Sequence, residues 1–280
     1  MTTFVLVHGA WHGGWCWKKV APLLRRAEPK ESVRGGQGRE KVERHEVYTP
    51  TLSGLGERSH LAKRMDPASI NLDLHIQDIV RLLECEGLER VILVGHAYAG
   101  MVITGVAESC PERLGHLVYV NGVVPRDGEA MVDQLAAVRG PQFTAWVRGH
   151  IERKDGFLPP PATPQEVERR WGISDPSDLA WVLSRVTPQP VAAFAQPVRT
   201  GRSEAQLIPR CFIGSSESGF DSVAEMARKA GWGLFQIDTG HDPMITKPEE
   251  LAEILLQIAS KGQESYTASP AMPHASATSL

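Results

Sequence analysis

Residues 91–101 read Val-Ile-Leu-Val-Gly-His-Ala-Tyr-Ala-Gly-Met and predict a buried strand that turns sharply into a helix. Gly95 and Ala99 provide small side chains on either side of the central position, Ala97. A turn of this G-x-S-x-G kind strains its central residue and lifts it above a sheet, where a serine hydroxyl can attack a carbonyl carbon. The methyl group of Ala97 cannot attack. The turn therefore predicts a nucleophile position without its nucleophile, although any strand-to-helix turn also favours small residues.

A glycine-rich loop, His-Gly-Ala-Trp-His-Gly-Gly at 8–14, follows the first apolar run. A loop in this place can supply one backbone N–H of an oxyanion hole, and the residue after the nucleophile supplies the second. These donors would be Ala10 and Tyr98. The loop matches neither G-x-G-x-x-G nor G-x-x-x-x-G-K-[ST], and it does not keep His8 and His12 at helical spacing. We therefore expect neither a nucleotide cofactor nor a metal.

A histidine follows the last apolar run, in Asp-Thr-Gly-His-Asp-Pro-Met at 238–244. His241 would lie on a loop at the carboxyl edge of the sheet, where a general base belongs. The orienting acid should follow the preceding strand, and Glu217 and Asp221 are both available there. We favour Glu217 because it lies closer to the strand. The alternative for each of these side chains is an ordinary solvated loop position.

The composition excludes several classes of protein. The chain has 280 residues, 42% of them hydrophobic and 22% charged, and a net charge of −3, which predicts a folded chain without a general attraction for nucleic acid or an anionic membrane. No apolar run is long enough for a membrane span, and the first residues lack the basic segment of a secretory signal. We expect a cytoplasmic protein with a small-molecule partner, and a homodimer stays open.

Short apolar runs alternate with helical patterns along the chain. The runs lie at 4–7, 47–49, 91–94, 117–120, 211–213 and 234–237. Unbroken apolar strands joined by helices predict a parallel sheet buried on both faces. Ile76, Ile79, Val80 and Leu83 mark the apolar stripe of one such helix, and Leu251, Ile254, Leu255 and Ile258 that of another.

This pattern predicts a core at 1–124 and 205–262 that is interrupted by a cap or lid at 125–204. A flexible surface insertion is expected at 28–44 and a disordered tail at 263–280, because both segments lack apolar periodicity. Trp146, Trp171 and Trp181 lie in the cap segment, and Trp11 lies in the glycine-rich loop. Together they predict an apolar substrate pocket, although any single one of them could serve only in packing.

The motifs within 4–15, 95–100 and 239–244, together with Thr-Leu-Ser-Gly-Leu-Gly-Glu-Arg at 51–58, resemble the small α/β-hydrolase esterases. The branch they resemble most is that of the plant methyl esterases and hydroxynitrile lyases with their bacterial relatives. The resemblance covers nearly the whole chain except 28–44 and the tail. It implies an α/β-hydrolase fold: a mainly parallel six-stranded sheet flanked by helices, with a helical cap inserted before the last two strands. It also implies that Ala97 occupies the serine position, His241 is the base, Glu217 the acid, and Ala10 and Tyr98 the oxyanion donors.

The chain departs from this family at several positions. Asn121 stands where relatives often carry an aspartate, which gives more weight to Glu217. Gly9 and Asp242 replace the threonine and lysine that the lyases use, which disfavours cyanohydrin cleavage. Because the residues around Ala97 match the family, we interpret it as a Ser→Ala replacement that inactivates a carboxylic ester or lactone hydrolase acting on an apolar small molecule. The alternative is a naturally non-catalytic small-molecule-binding protein.

Overall fold

Six parallel strands form the central sheet. The structure, a computed structural model, describes residues 1–26 and 45–267. The strands are β1 (Thr3–Val7), β2 (Glu46–Tyr48), β3 (Val91–His96), β4 (Leu114–Val120), β7 (Arg210–Ser215) and β8 (Gly233–Ile237), in the order β2-β1-β3-β4-β7-β8. Two short strands, β5 (Phe157–Leu158) and β6 (Gln189–Pro190), pair separately and antiparallel. The six-stranded parallel sheet of the α/β-hydrolase fold is confirmed.

The strand register brings the carboxyl ends of the central strands to one edge. His96 of β3 pairs with Val120 of β4, and Val120 pairs with Ile213 of β7. The loops that follow these strands therefore start side by side. They carry the turn at Ala97 and the segment that contains Glu217, while the loop after β8 carries His241.

The described α-helices alternate with the strands as predicted. They are α1 (Val20–Arg26), α2 (Leu72–Cys85), α3 (Ala99–Ser109), α4 (Met131–Arg139), α5 (Pro141–Glu152), α6 (Pro164–Trp171), α7 (Pro176–Leu183), α8 (Ala192–Ala195), α9 (Ser203–Gln206), α10 (Asp221–Lys229), α11 (Pro243–Thr246) and α12 (Pro248–Thr267). Short 3-10 helices lie at Gly14–Trp17, Gly56–Lys63, Pro67–Ser69 and Pro111–Arg113. Within 1–26 and 45–267, none of the helices is long and apolar enough to cross a membrane.

The predicted helical stripes are buried. Ile76, Ile79, Val80 and Leu83 of α2 are all buried, and so are Leu251, Leu255 and Ile258 of α12, while Ile254 is half-buried. Burial of the strands on both faces holds for β3, which is buried throughout, but not for β8. Leu234 of β8 is 40% exposed because this strand lies at the edge of the sheet and has a neighbour on one side only.

The predicted tail differs from the structure at its start. Helix α12 continues to Thr267, so residues 263–267 are helical rather than irregular. Gln-Glu-Ser-Tyr-Thr at these positions contains no glycine or proline, and the first helix-breaking proline comes only at Pro270. The remaining tail residues, 268–280, and the insertion predicted at 28–44 lie outside the described residues.

Between β4 and β7 the chain is mostly helical and covers the carboxyl edge of the sheet. Residues from α4, α5, α6 and α8 line a cavity together with Ala97 and His241. This segment occupies the place of the predicted cap, and the domain boundaries at 125 and 204 stay a prediction.

Candidate active site

The turn after β3 holds Ala97 in a strained conformation. Its φ angle is +51°, in the left-handed region that costs a non-glycine residue roughly 1–2 kcal/mol. Small neighbours permit the turn: a Cβ on Gly95 would lie 2.8 Å from the carbonyl oxygen of Ala99, and one on Gly100 would collide with the carbonyl oxygen of Val123. The backbone N–H of Ala97 donates to Val120 at 3.2 Å, and its carbonyl accepts from Val123 at 3.2 Å. The predicted sharp turn is therefore present although its central residue is an alanine.

Ala97 and His241 line the same cavity. Ala97 is partly exposed there and is not sealed in the packed core. His241 lies on the loop between β8 and α11 and is 3% exposed. The structure thus brings together the predicted nucleophile position and the predicted base from segments far apart in the chain.

His241 is held as a neutral imidazole. Its ring stacks on Phe220 at 5.5 Å between centroids and lies 4.8 Å from the ring of His96. Burial lowers the pKa of His241 well below its usual value, and the positive charge of Arg139 lowers it further. A neutral imidazole is the form that can accept a proton at neutral pH.

The predicted acids do not contact this imidazole. Nδ1 of His241 is buried and has no hydrogen-bond partner within the described residues. Glu217 and Asp221 are both exposed; Asp221 begins helix α10. The backbone N–H of Glu217 donates to the carbonyl of Thr239 at 3.2 Å, and Oγ of Ser216 donates to Oδ1 of Asp238 at 2.7 Å, so the two loops are joined without the carboxylate of Glu217. The role of Glu217 stays a prediction.

Asn121 joins the strand ends around the base. Its Nδ2 donates to the carbonyl oxygen of His241 at 2.9 Å and to Oγ of Ser215 at 2.8 Å, while its Oδ1 accepts from the N–H of Ser215 at 2.8 Å. Asn121 is fully buried. This side chain fixes the backbone of His241 and not its ring, so the amide at this position has a structural function.

The two predicted oxyanion donors line the cavity. Within the described part of the chain, the backbone N–H groups of Ala10 and Tyr98 make no hydrogen bond to protein. The Tyr98 ring stacks on Phe194 at 5.4 Å, and its hydroxyl is 2.9 Å from Nδ1 of buried His75. These contacts anchor the N-terminal end of α3. Two free N–H groups beside Ala97 suit an oxyanion.

The glycine-rich loop packs directly on the turn at Ala97. A Cβ at Gly9 would lie 2.7 Å from Nδ1 of His96 and 3.1 Å from the methyl of Ala97, so only glycine fits without a shift. His12 and His96, both buried, approach the carboxylate of Asp242: the distances from their Nε2 atoms are 3.0 and 3.4 Å. The loop and the His241 segment are therefore bound to one buried polar network. The adjacency of Asp242 to His241 was the only signal of it in the sequence.

The cavity measures about 530 Å³, and several aromatic residues belong to its lining. Trp11 and Trp171 line it, together with Phe143, Phe194 and Phe220. Trp146 and Trp181 do not. Trp146 packs against Phe143 and His150, and Trp181 packs edge-on against Trp15 at 5.3 Å. Of the four tryptophans predicted to bind substrate, two therefore line the cavity and two do not, because helical periodicity does not specify which neighbour an aromatic ring meets. Contact with a ligand stays a prediction.

Three arginines that were not predicted as site residues also line the cavity. Arg139, at the end of α4, and Arg169 and Arg170, at the end of α6, belong to its lining. Burial lowers the pKa of Arg139 to about 10, partly opposed by Asp242. Basic residues at helix C-termini are ordinary, so nothing in the sequence distinguished these three.

One group of side chains in the described residues has the composition of a metal site. Ligand atoms of His96, His241 and Asp242 lie within 4.8 Å of one another. Nε2 of His96 is 3.0 Å from the carbonyl oxygen of His241, and the Arg139 charge acts on both His241 and Asp242. A hydrogen-bonded network beside a guanidinium disfavours a cation, and we assign no metal here.

Comparison with known proteins gives consistent results. A model of the alpha/beta hydrolase family matches residues 4–254. The chain is 35% identical over 264 residues to a carbendazim hydrolyzing esterase of Nocardioides sp. (strain SG-4G), covering 91% of this chain and 98% of that protein. It is 25% identical to methylesterase 18 of Arabidopsis thaliana, covering 92% and 97%. An extracellular alpha/beta-hydrolase from a Paenibacillus species superposes with a TM-score of 0.70 at 19% identity, covering 92% of this chain and 98% of that one.

Proposed function

Because this chain belongs to the alpha/beta hydrolase family, we propose that its site is built for serine-type hydrolysis of a carboxylic ester or lactone, and that Ala97 makes this chain a binder without turnover. Ala97 carries the proposal. It occupies a strained turn, shares a cavity with a neutral His241, and lies beside two backbone N–H groups without a protein partner in the described residues. These surroundings would serve a catalytic serine, whereas an alanine makes no use of them.

The reaction would follow the usual course for such a site once a serine stands at position 97. The serine Oγ attacks the carbonyl carbon while His241 takes the hydroxyl proton. The N–H groups of Ala10 and Tyr98 stabilise the tetrahedral oxyanion. Collapse to the acyl-enzyme breaks the ester C–O bond, and His241 returns the proton to the leaving alcohol. Water, deprotonated by His241, then releases the acid.

Glu217 is our proposed orienting acid for His241. Its backbone N–H donates to the carbonyl of Thr239, two residues before His241, so the Glu217 segment lies beside the loop of His241, and its exposed carboxylate would have to turn inward to approach Nδ1. The exposed position of this carboxylate has a consequence for the rate. In subtilisin, loss of the whole triad costs about 2 × 10⁶ and loss of the acid alone about 3 × 10⁴. Restoring the serine should therefore raise kcat between about 10² and 10⁶-fold, depending on how well Glu217 engages.

The experiment is the Ala97→Ser variant assayed with p-nitrophenyl butyrate. We expect hydrolysis well above that of the parent chain, and covalent labelling of the variant by a fluorophosphonate. The double variant Ala97→Ser/His241→Ala is the control and should lose both. A folded Ala97→Ser variant that neither hydrolyses esters nor takes the label would contradict the proposal.

That negative result would support the second candidate, a non-catalytic small-molecule-binding protein. The observation that favours it is Ala97 itself, which occurs beside a well-formed aromatic cavity of about 530 Å³. The two candidates share the ligand site and differ only in chemistry.

A further inference from the structure

Two of the three arginines that line the cavity lie next to each other. Arg139 and Arg170 both line it, and Nη1 of Arg139 donates to the backbone carbonyl of Arg170 at 3.1 Å. Arg170 lies over the rings of Phe143 and Trp146, at 5.6 and 5.9 Å, and Arg139 lies 6.0 Å from the ring of Phe220. Because aromatic rings cover these sides of the two guanidinium groups, an anion can approach each of them only from the remaining directions.

Within residues 1–26 and 45–267, neither arginine forms an ion pair. In the part of the chain that the structure describes, no carboxylate oxygen lies within 4.0 Å of either guanidinium, although Asp242 acts on Arg139 and Glu166 on Arg170 from farther away. Nη1 of Arg170 is buried and has no hydrogen-bond acceptor among the described residues. Arg139 has five N–H donors, and a protein acceptor is present for one of its nitrogens. Within the described residues, both side chains therefore keep charged donors without a protein acceptor.

An unpaired guanidinium in a largely buried position is unfavourable unless a partner arrives from outside the chain. The planar fork of arginine fits a carboxylate with two parallel hydrogen bonds. We propose that Arg139 and Arg170 form a subsite for a free carboxylate on the ligand, so that the substrate is a half-ester of a dicarboxylic acid whose apolar part lies against the aromatic residues. This inference rests on the proposed hydrolase function for the ester group, and on the arginines for the carboxylate.

A purely structural role for Arg139 is the alternative. Its bond to the Arg170 carbonyl caps the C-terminal end of α6, which by itself would stabilise the fold. Such a role would affect charged and neutral ligands equally. A carboxylate subsite affects their ratio, and the ratio is therefore the quantity to measure.

The chain as it stands allows a binding measurement without turnover. Trp11 and Trp171 line the cavity, so their fluorescence should report ligand entry. We expect monobenzyl succinate, which carries a carboxylate, to bind at least 10-fold more tightly than its neutral methyl ester. Arg139→Gln and Arg170→Gln should each reduce this ratio toward 1. Arg185→Gln is the matched control, because Arg185 also lies over a tryptophan ring but outside the cavity, and it should leave the ratio unchanged.

Equal binding of the two ligands by the unaltered chain would overturn the proposal, as would a ratio that survives in both folded arginine variants. If Arg139→Gln does not fold, Arg170→Gln decides alone, since it leaves the cap on α6 intact. A parallel assay of Ala97→Ser separates this inference from the proposed function. Preferential binding without hydrolysis refutes the function and keeps the subsite, whereas hydrolysis without any preference for the half-ester refutes the subsite.

Discussion

Acidification should unfold this protein through its buried histidines. His8 is fully buried between two backbone partners: one ring nitrogen, Nε2, accepts from the N–H of Leu52 at 3.0 Å, and the other, Nδ1, lies 2.8 Å from the carbonyl oxygen of Gly9. This pattern requires a neutral ring with its proton on Nδ1. A second proton would face the N–H of Leu52. Burial lowers the pKa of His8 to about 3 and that of His96 to about 4.

The sign and size of the effect follow from these values. Both histidines bind protons more weakly in the folded chain than in the unfolded one, where the pKa is about 6.5. The free energy of unfolding therefore decreases as the pH drops below about 6.5. Between pH 7 and pH 5 each group costs about 1.9 kcal/mol, or about 4 kcal/mol together, at 1.36 kcal/mol for each pKa unit. His241 acts in the same direction. Total stabilities of about 5–15 kcal/mol make this loss large.

The free energy of unfolding can be measured at each pH from 8 to 5 by urea unfolding followed by circular dichroism. Carboxylates change little in this window because their unfolded pKa values lie near 4. His8→Gln should flatten the pH dependence, and His60→Gln, at an exposed position, should leave it unchanged. A free energy of unfolding that stays constant between pH 7 and pH 5 in the unaltered chain would refute the reasoning.

Two further substitutions test the framework around Ala97. Gly9→Thr introduces a side chain whose Cβ would lie 2.7 Å from Nδ1 of His96. We expect the free energy of unfolding in urea to fall by about 1–3 kcal/mol, and the double variant with Ala97→Ser to have no esterase activity. A stable, active double variant would contradict the packing. Asn121→Asp removes the amide that donates to the carbonyl of His241 and to Oγ of Ser215. We expect about 1–3 kcal/mol of destabilisation, and lower esterase activity in the Ala97→Ser background. A gain in kcat would instead show that position 121 can supply the acid.

Local sequence determined what could be predicted about the sheet and the turn. Each strand of the six-stranded sheet coincides with an apolar run, whereas β5 and β6 were not predicted. The small residues Gly95 and Ala99 predicted the turn at Ala97, and the structure adds Gly100, where a Cβ would collide with Val123. His241 could be placed because the carboxyl ends of parallel strands meet at one edge. In these cases the necessary information lies within about ten residues.

The rest of the site depends on contacts between segments far apart. Whether Trp171 or Trp181 faces the cavity depends on how α6 and α7 are rotated over the sheet, which their sequences do not state. The pairing of His12 with Asp242 joins residues 230 positions apart. The sequence does not distinguish Arg139 from a solvated residue, because only the packing of α4 brings the end of this helix beside the cavity. Such contacts depend on how the elements pack together, and helical periodicity identifies only which face of a helix is apolar.

The conformation at position 97 also bears on the choice between the two candidate functions. Ala97 gains nothing from a φ of +51°, yet the turn persists because its hydrogen bonds to the carbonyl of Val120 and from the N–H of Val123, together with the packing of Gly9, impose it. The neighbours and not residue 97 itself therefore specify the turn. A serine introduced there adds one oxygen on the cavity side, where Ala97 is partly exposed, and needs no change in the backbone. An inactive Ala97→Ser variant consequently could not be attributed to a lost turn, and its failure would mean that His241 lacks the orientation that catalysis requires.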